Sequence, residues 1–320
     1  MWRVNKINLA NLPTPIEKIE SLSKKYKKNI YIKRDDFTGT EVSGNKIRKL
    51  EYTMQDAINQ CADTIITTGA IQSNHCRATA AASAKLGLDC HLVLVGEVGN
   101  NEGNYFLDKL LGAKIHVIKE SSERETYVEE LIQNLNDNGH KAYYMPVGAS
   151  TSVGALGYQA CFDEIIDQEK SLGVKFDAIF STTGSGGTYA GLWYGNYKNK
   201  SNKEIFGISV SESSEHFKKV IVEILKGMNC NITDFNGINI VDDYIGLGYG
   251  KYTEKEIQAY IDISKETGII FDPCYTGKGF IGMLEEIKNS DFENILFIHT
   301  GGLQGWTKEM RDVADKLLNY

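Results

Sequence analysis

The sequence has no C-x-x-C pair and no cluster of cysteine and histidine at zinc-ligand spacing. Its six cysteines, Cys61, Cys76, Cys90, Cys161, Cys230 and Cys274, stand singly, and its six histidines are equally dispersed. No metal site is expected, and the thiols should be reduced and mostly buried. Long apolar runs are also missing. The stretches around Ile65 and Ile66 and at 295–298 are strand-sized, far short of the ~20 residues that cross a bilayer, and the opening MWRVNKINLANLPTP has no apolar core of signal-peptide length. This reading makes no membrane contact and a cytoplasmic location the expectation. Nor is there a basic stripe. The net charge is −7, with lysines interleaved among acids, which argues against a nucleic-acid partner and for small-molecule chemistry.

What the chain does have is length and a repeating pattern. At 320 residues, with 42% hydrophobic and 24% charged residues, it should fold throughout and form more than one compact unit. Strand-like runs at 64–68, 91–95, 115–118, 142–145, 178–181, 205–210 and 295–300 alternate with longer amphipathic segments. Two of these segments are 74–86, rich in alanine and closed by Gly87, and 101–111, closed by Gly112. That alternation predicts an α/β protein of mostly parallel sheets flanked by helices. The Gly/Ser/Thr-rich stretch 146–157 divides it into a smaller domain, 41–150, and a larger one, 1–40 with 151–320, with the active site in the cleft between them.

Two strand-to-helix turns carry unusual chemistry. The first runs Ser181-Thr182-Thr183-Gly184-Ser185-Gly186-Gly187-Thr188. Its glycines permit a tight turn, and free amides at a helix start suit an anion such as phosphate. A ligand-free turn and a dinucleotide site are the alternatives. The second has Glu212 beyond the next strand in its favour, but its glycine fingerprint is out of register. The second turn, Gly69 to His75, offers Ser73 or Asn74 as helix N-cap and a place for a carboxylate. Upstream, Ser43 can cap a helix carrying Lys46 and Lys49, and the residues alone leave open which lysine matters.

Five motifs occur in order: S-G-N-K-x-R-K-L-E from Ser43, G-x-x-Q-S-N-H-x-R from Gly69, T-G-S-G-G-T-x-A-G from Thr183, D-P-x-Y-T-G-K-G from Asp272 and H-T-G-G from His299. Together they resemble the D-cysteine desulfhydrase and 1-aminocyclopropane-1-carboxylate (ACC) deaminase family of fold-type-II, tryptophan-synthase-β-like enzymes, which use pyridoxal 5'-phosphate. The likeness runs from residue 13 to residue 302. It implies that Lys46 forms the Schiff base, leaving Lys49 as a lysine on a solvated face, and that the larger domain binds the cofactor. It assigns Thr183, Gly184, Ser185, Gly186, Gly187 and Thr188 to the cofactor phosphate through backbone amides, with no lysine or arginine doing the main work. It also assigns Asn74 to the ring oxygen and Thr300 to the ring nitrogen. Gln72, Ser73, Asn74, His75 and Thr276 fall to the substrate, with Ser73 also among the catalytic residues.

Tyr249 and Tyr275 match paired tyrosines that assist the leaving group. Where the ACC deaminases carry glutamate and leucine, this chain has Thr276 and Thr300. The resemblance therefore implies α,β-elimination from a small amino acid, with D-cysteine giving pyruvate, sulfide and ammonia. L-cysteate and ACC are the alternatives within the family. A dinucleotide-dependent oxidoreductase and a non-catalytic amino-acid-binding protein are the alternatives outside it. A homodimer is expected from apolar positions near the start, Trp2, Val4, Ile7 and Leu9.

Overall fold

The run TIITTGA lacks the polar alternation of a half-exposed strand, as a strand covered on both faces requires. It forms β3 (Thr64–Ala70), buried along nearly its whole length. The computed structural model describes residues 5–229 and 231–318. In it β3 lies inside a wholly parallel four-stranded sheet, ordered β5 (Lys114–Ile118), β4 (Asp89–Val95), β3, β6 (Ala142–Met145). The second sheet has six strands, ordered β1 (Ile16–Lys18), β2 (Asn29–Lys33), β10 (Asn294–Ile298), β7 (Ala178–Thr183), β8 (Glu204–Ser209), β9 (Asn239–Val241). It is parallel except where the short edge strand β1 runs antiparallel to β2. The expected α/β class of mostly parallel sheets is what forms. Strands β1, β2 and β9 were not anticipated.

The helices are α1 (Glu20–Tyr26), α2 (Lys46–Asn59), α3 (Asn74–Leu86), α4 (Gly103–Leu110), α5 (Arg124–Asp137), α6 (Ser152–Leu172), α7 (Gly187–Asn199), α8 (Ser214–Met228), α9 (Glu254–Thr267), α10 (Thr276–Glu286) and α11 (Lys308–Leu318). Helices α2, α6 and α7 pack backbone to backbone. A Cβ on Gly157 of α6 would sit 2.2 Å from the Arg48 carbonyl oxygen, and one on Gly191 of α7 would sit 2.2 Å from that of Ala155. Only glycine allows either approach.

Charge fixes the same junction. Arg48 donates two hydrogen bonds to Asp35 (2.9 and 2.8 Å) and two to Glu164 (2.9 and 3.1 Å). Lys33 reaches Glu164 at 2.5 Å, and the Tyr158 hydroxyl reaches Asp35 at 2.5 Å. Burial alone would raise the Asp35 carboxyl, but Arg48, Lys33 and Tyr158 together hold it below its usual value. Breaking one partner of such a buried pair costs roughly 3–5 kcal/mol.

Two expectations change here. Ser43 does not cap α2: its hydroxyl donates to the Asp36 carbonyl, and Asn45 holds the N-cap position. Ile7 and Leu9 do not form an outward apolar face, because they pack on a core containing Ile47, Leu50 and Met54. Trp2, Val4 and Cys230 lie outside the described residues.

Asp108, on α4, is fully buried, and neither carboxylate oxygen has a hydrogen-bond partner. Burial pushes it up to about 8, with the Arg77 guanidinium opposing. Because the folded value exceeds the unfolded one, its stabilising contribution is complete below about pH 4 and is lost as pH rises towards 8. Asp108→Asn should therefore match the wild type near pH 4 and exceed it by about 2–4 kcal/mol at pH 8. Denaturant melts across that range check this, and a variant equally or less stable at pH 8 would contradict it.

Candidate active site

The carboxyl ends of β3 and β7 and the start of α2 enclose a cavity of about 270 Å³, near the lower end of the ~300–1,000 Å³ usual for small-molecule sites. On the β3 side, Ser73 is the N-cap of α3, its Oγ accepting from the Cys76 amide at 3.2 Å. Ser73, Asn74 and His75 all line the cavity; Gln72 does not. Its side chain turns to the start of α4, accepting from the Asn104 amide and donating to the Glu102 carbonyl. Asn104, buried and unforeseen, organises this turn. It donates to the Gln72 carbonyl and the Asn74 Oδ1, both at 2.9 Å, and accepts from Arg77 at 2.8 Å. Asn74 is left with its Nδ2 as a donor for the cavity.

His75 has a defined tautomer. The Thr67 hydroxyl spends its proton on the Met145 carbonyl, so His75 Nε2, 2.8 Å away, must donate to it. Nδ1 is thus a bare acceptor, buried without a partner. Burial, then the charges of Lys46 and Lys49, hold this imidazole well below its usual value.

The glycine turn joins β7 to α7. Gly186 has φ +80°, a left-handed conformation that favours glycine, and a Cβ there would point at Val220 and Ile221 of α8. Backbone conformation and packing on α8 therefore call for glycine at this lining position. Thr182 and Thr183 line the cavity with buried hydroxyls lacking partners, and the first-turn amides of α7 have no intrahelical acceptor. Gly187 is absent from the lining, its amide donating to Ser150 Oγ at 3.3 Å.

Ser150 also sits 2.8 Å from Ser185 Oγ and accepts from Lys49 Nζ at 3.2 Å. Lys49 is therefore not on a solvated face. It is completely buried, with burial and then Lys46 holding its amine well below the usual value, beside the turn thought to need no lysine. Its i,i+3 spacing from Lys46 places both on one helix face, a signal that was available.

Lys46 donates to Asn45 Oδ1 at 2.9 Å, while Asn45 Nδ2 donates to Thr188 at 3.0 Å, tying the start of α2 to α7. Burial lowers Lys46 to about 8, Asp272 opposing and Arg77 reinforcing. Its amine lies 5.7 Å from the Tyr275 ring centre, and the Tyr275 and Tyr249 hydroxyls are 2.5 Å apart. Thr300 lines the same cavity, and its carbonyl accepts from the Asn45 amide.

Thr276 does not reach the cavity. It is buried, its hydroxyl donating to Asp272 at 2.6 Å, and Asp272 also accepts the amides of Cys274, Tyr275 and Thr276. Arg124, unmarked by any motif, does line it.

The geometry is a buried amine held partly neutral, an amide turn with a second buried lysine, and paired phenols. A family model, described as pyridoxal-phosphate dependent enzyme, matches residues 7–301. The chain belongs to the pyridoxal-phosphate dependent enzymes. The dinucleotide reading gives way to pyridoxal phosphate.

Among curated relatives, a Pyrococcus furiosus protein provisionally named a 1-aminocyclopropane-1-carboxylate deaminase is 40% identical, over 98% of this chain and 96% of its own length. The bifunctional D-cysteine desulfhydrase/1-aminocyclopropane-1-carboxylate deaminase of Arabidopsis thaliana is 37% identical, over 98% of this chain and 82% of its own. A crystal structure of an ACC deaminase homologue superposes with a TM-score of 0.88 at 37% identity, covering 99% of this chain and 96% of that one.

One buried cation governs the tyrosine loop. Lys278 of α10 donates to the carbonyls of Ile245 (2.7 Å) and Gly248 (2.9 Å), which flank Tyr249's loop. Lys278→Met leaves both carbonyls without that donor and should cost roughly 1–3 kcal/mol. Amide exchange at 246–250 should quicken along with the lower melting point. Unchanged exchange would contradict this anchoring.

Proposed function

We propose that the chain eliminates the β-substituent of a small amino acid, converting D-cysteine and water to pyruvate, sulfide and ammonia. The observation that carries this is the placement of Lys46, with its amine lowered to about 8, beside the Tyr249 and Tyr275 phenols in one cavity. The residues present fit pyridoxal phosphate. Lys46 would hold it covalently; the first-turn amides of α7, with Ser185, Ser150 and Lys49, would hold its phosphate. Asn74 Nδ2 would meet the ring oxygen and Thr300 the ring nitrogen. When bound, the cofactor supplies a sink for the electron pair left at Cα.

The chain's own residues do the rest. Ser73 and the N-terminus of α3 hold the substrate carboxylate through a hydroxyl and free amides. Lys46, neutral in a large fraction of molecules near pH 8, takes the Cα proton. Desolvation of the paired hydroxyls raises both phenols well above the usual tyrosine range, even though the Tyr249 side chain is partly exposed, so the hydroxyl of one can protonate or hydrogen-bond the departing sulfur. If the cofactor's ring nitrogen met Thr300, that hydroxyl, unlike a carboxylate, would not hold it protonated, which suits prompt loss of a leaving group.

The reading takes the two sheets as the two domains. It extends to a homodimer, supported by exposed Phe106 and Leu110 one turn apart on α4, and to the cytoplasm, supported by five free cysteines among the described residues. No helix among the described residues is long and apolar enough to cross a membrane.

A second reading, opening of ACC by water to 2-oxobutyrate and ammonia, is favoured by the names of the two relatives. With Thr276 turned away, the distinction between the two rests on Thr300 and the phenol pair. A panel of both cysteine enantiomers, β-chloro-D-alanine and ACC decides it. Pyruvate and sulfide from D-cysteine should form at least about tenfold faster than 2-oxobutyrate from ACC, a difference of ~1.4 kcal/mol in barrier. Faster 2-oxobutyrate would assign the second reading.

A further inference from the structure

Arg124 opens α5 and lines the cavity alongside Ser73 and Asn74, yet the elimination as proposed gives it no task. Its Nε is buried without a hydrogen-bond partner, and its guanidinium forms no ion pair with a described residue. Its charge is felt at the Cys76 thiol, which burial holds well above the usual value with Arg124 among the groups opposing. Cys76 stands in the first turn of α3, so the guanidinium sits near that helix start.

The start of α3 is an incomplete anion site. The Cys76 amide donates to Ser73 Oγ and the Arg77 amide to the Ser73 carbonyl, each at 3.2 Å, which leaves the amides of Asn74 and His75 without an intrahelical acceptor. Those two amides and the helix dipole amount to about half a positive charge, against the full negative charge of a carboxylate. The lysines do not make up the difference. Lys46 is committed to the cofactor, and Lys49 donates to Ser150 beside the glycine turn. A guanidinium does, because it stays charged at every physiological pH and offers a planar fork that fits both oxygens of a carboxylate. Keeping it partly buried without an anion is unfavourable, which a ligand's carboxylate relieves. D-cysteine has one such group, on its α-carbon.

We propose that Arg124 and the N-terminus of α3 together grip the α-carboxylate of the substrate. This rests on the reading of the cavity as an amino-acid elimination site, and it adds the residue that makes a free carboxylate a condition of binding. Discrimination then falls on the α-carbon. Amino acids with neutral β-substituents, D-cysteine among them, are accepted, while the matching amides, esters and simple amines are rejected.

The test is spectral titration of the holoenzyme with alanine and alaninamide, each as both enantiomers, in wild type and in Arg124→Ala and Arg124→Lys, with steady-state turnover of D-cysteine alongside. Alanine has no leaving group, so it reports binding alone, and the amide differs from it only at the carboxyl. Wild type should bind alanine at least about tenfold more tightly than alaninamide, as expected for a charge-assisted pair. Arg124→Ala should lose most of that preference and should raise KM for D-cysteine more than it lowers kcat, the pattern of lost binding common to ground and transition states. Arg124→Lys, keeping charge without the fork, should recover part of the preference. Equal weakening of alanine and alaninamide in Arg124→Ala overturns the proposal, because a purely structural role moves both alike. So does an alanine preference that the substitution leaves unchanged. Absence of keto-acid release from every amino acid would instead sink the elimination reading, while the ratio of alanine to alaninamide affinity still decides the role of Arg124.

Discussion

The pairing of Arg48 with Asp35 and Glu164 is the constraint on which the site depends. Arg48 stands two residues after Lys46, and four of its five side-chain hydrogen bonds hold the first turn of α2 to the segment after β2 and to α6. Gly157 lets α6 touch the backbone of that same turn. Lys46 therefore projects from a helix start that cannot slide or rotate, at the junction between the two sheets. Replacing the network by apolar groups could preserve stability, but removing one charge alone would leave another buried and unpaired.

From that fixed point the chemistry follows by short steps. Asn45 passes the position of α2 to α7 through Thr188, while also accepting from the Lys46 amine. Ser150 links Lys49 to Ser185 and to the Gly187 amide. Apart from the bond between neighbours Asn45 and Lys46, each step is a hydrogen bond between segments far apart in the chain, so the anion turn and the two lysines form one arrangement. Two lysines close together in a buried site repel, and burial adds to that effect. One amine can then be neutral enough to act on carbon while the other sits where an anion would recharge it.

The fold was legible because parallel strands buried on both faces leave continuous apolar runs, and the turns were legible because glycine and helix-capping residues mark them. Side-chain direction was not. Gln72 and Thr276 neighbour site residues in sequence, yet the first turns towards α4 and the second towards Asp272. Asn104, Ser150 and Arg124 carry no local signal, since their partners or neighbours lie tens of residues away or, for Arg124, are not part of the chain's own hydrogen bonding. Lys49 could have been found, because a residue three positions from Lys46 shares its face.

The central claim is that Lys46, and not the more deeply buried Lys49, is the lysine that takes the cofactor. Borohydride reduction of the pyridoxal-phosphate-loaded protein, followed by peptide mapping, tests it most directly. The account predicts the reduced pyridoxyl group on Lys46, with Lys49 unmodified. Label on Lys49, or on Lys278, would contradict it.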